Sequence, residues 1–149
     1  MTRKDKNGLY DNDATNLKRS DMKKRKEIID NSNASLVISI HMNSFPLKNC
    51  RGAQTFFNKV NEKGKILADN IQNQFVKDLP FAKDEASVGD YYITNCTNLP
   101  AVIVECGFIS NPEEEVLLAT SKYRNKVCYA ILCGIVGFIG AENSNNIAN

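Results

Sequence analysis

Two short stretches decide how this chain folds: Ser35-Leu36-Val37-Ile38-Ser39-Ile40 and Ala101-Val102-Ile103-Val104. Each is brief, apolar and β-branched, the composition of a strand buried on both faces of a sheet. Helical periodicity surrounds them. Residues 15–32 place Leu17, Asp21, Arg25 and Ile28 or Ile29 three to four apart, with Thr15 or Asn16 as N-cap and Asn31-Ser32-Asn33 as the stop. Residues 61–79 set Leu67, Ile71, Phe75 and Leu79 on one stripe, which Pro80 ends. Asn111-Pro112 and the glutamates Glu113, Glu114 and Glu115 read as a helix start, with Asn111 as cap, Pro112 at the first position and carboxylates at the positive end of the dipole. A last helix is expected over about 122–139. Residues 52–58 and 90–94 are further strand candidates, 1–14 and 81–89 are polar and irregular, and 141–149 reads as a disordered Asn-rich tail. Strands alternating with helices predict a single α/β domain: three layers, with a mostly parallel twisted sheet flanked by helices.

Composition narrows the function classes. At 149 residues and 42% hydrophobic, the chain is long enough and apolar enough for one folded domain. A net charge of +2 with scattered lysines argues against a nucleic-acid partner. The longest apolar run, 127–139, falls short of the roughly 20 residues a membrane span needs. The polar opening Met1-Thr2-Arg3-Lys4-Asp5-Lys6 is no secretory signal. Five cysteines (Cys50, Cys96, Cys106, Cys128 and Cys133) cannot all pair within the chain, and no CxxC motif joins any two. They read as small buried hydrophobes or unreactive thiols.

His41, the single histidine, directly follows one apolar strand, and Glu105 directly follows the other. In open α/β sheets the ligand crevice lies beyond the carboxyl ends of the strands, so parallel strands would bring the two to one rim. A neutral imidazole there can ligate a metal, and a carboxylate can act as general base. Two other readings stand beside this one. His41 can be a hydrogen-bonded structural residue, or it can pair with Cys106 as a nucleophile and its base.

Three segments carry a family resemblance: Ser39-Ile40-His41-Met42-Asn43-Ser44, Gly52-Ala53-Gln54-Thr55-Phe56-Phe57, and Pro100-Ala101-Val102-Ile103-Val104-Glu105-Cys106-Gly107-Phe108-Ile109-Ser110-Asn111. Together they resemble the zinc-dependent N-acetylmuramoyl-L-alanine amidases of the germination-specific and cell-wall-lysis type. The resemblance covers roughly residues 1–140. It implies a peptidoglycan hydrolase that cleaves the amide between N-acetylmuramic acid and L-alanine of the stem peptide. Zn2+ is the implied cofactor, His41 the match to its last ligand, and Glu105 the match to the catalytic glutamate. Asn43 matches a recurring polar position, read equally well as a loop cap, and Gly107 marks close backbone passage past the site. The implied setting is extracytoplasmic, at the cell wall, with vegetative wall, spore cortex (in sporulation or germination) or prophage-targeted wall as the substrate and an activator protein as a further partner.

The family's Asp-Pro-Gly-His-Gly-Gly-like loop and the glutamate on its following helix have no counterpart here. Residues 1–140 are therefore expected to be a partial amidase domain, lacking the first strand, the first helix and most of the second strand. One histidine does not make a catalytic zinc site, so the alternative reading is an inactive fragment or a wall- or partner-binding module without metal. A missing strand would also leave backbone groups exposed along 36–40 or its neighbour.

Overall fold

The computed structural model describes residues 1–147, with side chains through 144. Nine elements follow in order: α1 (Leu17–Asp30), β1 (Val37–Asn43), β2 (Gln54–Phe57), α2 (Glu62–Asp78), β3 (Ser87–Val88), α3 (Tyr92–Asn95), β4 (Ala101–Phe108), α4 (Pro112–Ala119) and α5 (Ser121–Ile147). Asn16, Asn61 and Asn111 cap α1, α2 and α4, each accepting a hydrogen bond from a backbone N–H in the first turn.

The sheet runs β1-β4-β2-β3. β1 and β4 are parallel, β2 and β3 are parallel, and β2 lies antiparallel to β4. The expected α/β domain is therefore present, with a mixed sheet. The connection from β1 to β2 holds no helix. Without a crossover the chain returns in the opposite direction, whereas α2 carries it from β2 back to a parallel β3.

β4 is the central strand and separates two cores. Val102, Val104 and Cys106 face the larger one, with Leu67, Ile71 and Phe75 of α2 and Val127, Ile131 and Phe138 of α5. Ile103 faces the smaller one, with Ile29 of α1 and Ile93 of α3. Every β4 residue except the half-buried Glu105 is buried.

β1 departs from the expectation of burial on both faces. No strand lies on its outer side among the described residues, and Ile40 is 61% and Met42 49% exposed. Both apolar strands also run further than the sequence predicts, to Asn43 and Phe108, because their parallel pairing continues past the apolar runs. His41 and Glu105 thus lie inside the strands rather than after them.

Three other expectations change. Residues 90–94 form no strand. Asn95 donates to the Asp90 carboxylate at 2.5 Å and the Thr94 hydroxyl to the Tyr91 carbonyl at 2.9 Å, local bonds that close the turn of α3. The short strand β3 lies instead in the segment read as loop. The last helix does not stop near Ile139 but runs through the supposed tail to Ile147, where Glu142 pairs with Lys63 of α2; residues 148–149 of that tail lie outside the described residues. Ser121–Ser144 is long and apolar enough to cross a membrane, longer than the 127–139 run. One side of it packs on the core, while Tyr129, Leu132, Val136 and Ile139 are exposed.

Candidate active site

The parallel register of β1 and β4 pairs Ile40 with Val104 and His41 with Glu105. On the other flank, the antiparallel register pairs Gln54 of β2 with the same Glu105. Directly paired residues share a face, so His41, Glu105 and Gln54 form a row across three strands. That row lies on the α1/α3 side, the face of Ile103, toward the carboxyl ends of β1 and β4. The sequence-derived pairing of His41 with Glu105 at one rim is thus realised.

Glu105 is the unusual member. Its Oε2 is buried and finds no hydrogen-bond partner among the described residues. Burial pushes its carboxyl above the ordinary value, since desolvation penalises the charged form. A half-buried carboxyl with one oxygen unsatisfied is suited to exchanging a proton with something not belonging to the protein.

His41 shifts the other way. Partial burial of the ring, then the positive charges of Arg25 and Arg3, hold its pKa below the usual value, although the residue as a whole stays open to solvent. The neutral imidazole is favoured, the form that ligates metals. Ser39 Oγ and His41 Nε2 lie 2.9 Å apart and share a hydrogen bond whose donor depends on the imidazole tautomer. Asp21 ties α1 to the N-terminal segment, accepting from Arg25 Nε at 2.6 Å within the helix and from the Leu9 backbone at 2.7 Å.

The remaining candidates sort by position. Asn43 acts as a loop cap: its Oδ1 accepts from the Ser44 N–H at 2.8 Å, and its carbonyl accepts from Ile109. Gly107 has φ +143°, and a Cβ there would stand 3.1 Å from a Glu114 carboxylate oxygen. Cys106 follows Glu105 on the strand and so points to the opposite face, buried in the larger core. Its thiol is pushed up to about 12, by burial first and then by the Glu105 charge. The Cys106–His41 nucleophile reading fails on both counts, since a thiolate is required and the two side chains sit on opposite sides of the sheet.

Sequence reasoning missed two neighbours. Glu114 is fully buried and accepts from Phe108 N–H at 2.8 Å and from Gly52 N–H at 3.1 Å, tying the end of β4 to the segment before β2. Asn111-Pro112 marks its helix start, but nothing local reveals that the carboxylate turns inward. Tyr91 packs edge-on against Phe56 at 5.6 Å between ring centroids. Its hydroxyl pKa is raised by burial and then by the charge of Glu105. A loop tyrosine carries no sequence signal of such a neighbour.

A catalytic zinc ion needs three protein ligands and an open position. Among the described residues no three His, Cys, Asp or Glu side chains converge. These residues do not fit the zinc implied by the resemblance as a complete set. His41 offers one ligand.

A family model described as N-acetylmuramoyl-L-alanine amidase matches residues 1–136. The germination-specific N-acetylmuramoyl-L-alanine amidase of Bacillus subtilis (strain 168) is 35% identical over 123 residues, 81% of this chain and 52% of that relative. The chain thus spans about half the length of the curated relatives it matches first. Among solved structures, the CwlD amidase from Clostridioides difficile, in complex with the GerS lipoprotein, superposes with a TM-score of 0.87 at 34% identity, covering 94% of this chain and 74% of that one. The catalytic domain of CwlV, an amidase from Bacillus (Paenibacillus) polymyxa var. colistinus, gives 0.73 at 26% identity, covering 80% and 65%.

Proposed function

Because the chain belongs to the N-acetylmuramoyl-L-alanine amidase family, we propose that it carries the carboxylate half of a peptidoglycan amidase centre, with Glu105 as the general acid–base. The observation that supports this most is the buried, unpartnered Glu105 Oε2 in register with His41. The reaction is hydrolysis of the amide between the lactyl group of N-acetylmuramic acid and L-alanine. Water oxygen adds to the carbonyl carbon as Glu105 takes its proton, the C–N bond breaks, and the same carboxyl returns the proton to the departing amine. The raised pKa keeps Glu105 a useful acid in the second half of that sequence.

His41 stands where one metal ligand is wanted, and no step is assigned to a zinc ion that these residues do not hold as a set. Residues 1–140 are, in this reading, part of a larger catalytic unit whose further strand would lie along the open edge of β1. The wall substrate implies an extracytoplasmic place of action. A protein activator is proposed on the same footing, since the similar Clostridioides difficile amidase was solved with a lipoprotein bound.

A second reading is favoured by the missing ligand set: a module that engages wall or partner without metal. Two measurements on the purified 149-residue chain separate them. In the amidase reading, peptidoglycan gains free L-alanine amino groups and Glu105→Gln abolishes the gain without loss of helical signal; about one zinc per chain that His41→Ala loses would mean that other side chains or a second chain complete the ligand set. Absence of both zinc and amine release sinks catalysis by this polypeptide and leaves the binding module.

A further inference from the structure

The row around Glu105 has two unlike flanks. On the β1 side stands the polar, solvent-open His41, in register with Glu105. On the β2 side stand aromatic rings. Phe56 pairs with Ile103 two residues before Glu105 in β4 and shares its face. Tyr91 lies against Phe56 with ring planes 68° apart and is 37% exposed. Gly89 makes room for it, since a Cβ there would stand 2.3 Å from the Tyr91 ring. The ring is therefore held from two sides beside Glu105 and still reaches solvent.

The substrate proposed above is unlike on its two sides as well. One side of the scissile amide is a neutral amino sugar and the other a peptide bearing carboxylates. The C–H groups of a sugar ring carry partial positive charge and pack on the negative face of an aromatic ring, a face that carboxylates avoid. We propose that Tyr91 forms the saccharide subsite, taking the N-acetylmuramoyl ring on the β2 side of Glu105 and leaving the stem peptide on the β1 side. This rests on the amidase reading and adds a direction of substrate binding to it.

The test is titration of the 149-residue chain with N-acetylmuramoyl-L-alanyl-D-isoglutamine and, separately, with L-alanyl-D-isoglutamine, followed by amide chemical shifts. Tyr91→Ala and Tyr91→Leu should each weaken binding of the muramoyl ligand roughly five- to tenfold, the size of one aromatic contact. Binding of the sugar-free dipeptide should not change, and Tyr91→Phe should bind both like the parent. Tyr91→Leu keeps apolar bulk against Phe56, so it remains informative if the alanine variant loses its fold. Muramoyl binding that survives both variants overturns the subsite while leaving the amidase reading intact. Equal loss of both ligands also overturns it, because the residue would then support the site and not the sugar. A parent chain that binds neither ligand removes the substrate assignment itself, and the subsite falls with it.

Discussion

β1 and β4 are nearly the same strand on paper and two different strands in space. Both are short β-branched runs, both lie parallel in one sheet, and they are hydrogen-bonded neighbours. β4 is sealed along its length save for Glu105, while the second half of β1 lies open. β4 has a strand on each side and a helix layer on each face. β1 has a strand on one side only among the described residues. An apolar run therefore records that a strand can be buried, and its neighbours decide whether it is.

The sharpest way to break that comparison is to place the same charge in both strands. Val104→Asp should cost on the order of 4 kcal/mol or more and leave little folded protein, because a carboxylate in the larger core has no partner. Ile40→Asp should cost less than about 1 kcal/mol, as expected for an exposed site. Urea unfolding of the two variants measures this, and similar losses would show that β1 is covered in solution.

Glu114 secures the end of β4 with a buried carboxylate, whereas the end of β1 is tied through the Asn43 carbonyl, which accepts from Ile109 N–H. Glu114→Ala strands the Gly52 and Phe108 amides in a buried place and should lower stability by about 3 kcal/mol. Denaturation that moves by only a few tenths would mean that water replaces the carboxylate.

Asp21 tests the α1 side. The Arg25 hydrogen bond, chiefly, holds its pKa below 3.8, so the folded state releases the proton more readily than the unfolded chain. Its contribution is full above pH 3.8 and disappears as pH falls through the lower folded value. Asp21→Asn should thus destabilise by about 1–2 kcal/mol at pH 7 and converge with the parent in acid, once both the folded and the unfolded carboxyl are protonated. A gap that persists in acid would assign the loss to packing.

The smallest expected effect concerns the open edge. Unpaired backbone groups beside exposed Ile40 and Met42 favour edge-to-edge association. Sedimentation of the parent chain should show weak self-association that Ile40→Lys reduces; a parent that stays monomeric at high concentration would show the edge to be protected.

Much of this was legible in the residues. Asparagine caps, the Pro112 start and the stripe of Leu67, Ile71 and Phe75 are local codes, set by interactions a few residues apart, and each appears where it was read. So did the meeting of His41 and Glu105, because two apolar strands made parallel must align what stands at their carboxyl ends. Residues 90–94 misled because their alternation resembles a strand while their side chains bond locally.

What the chain's order of residues established, then, is its caps and stripes, the strands β1, β2 and β4, and the alignment of His41 with Glu105. Only the folded arrangement decided that the sheet is mixed, that Cys106 is turned away from His41, and that Glu114 and Tyr91 stand around the Glu105 strand. Gly52 and Glu114 are 62 residues apart in sequence and within a hydrogen bond in space. Contacts of that kind depend on which elements become neighbours, and hydrogen bonding, burial and pKa follow from those neighbours and not from any local pattern.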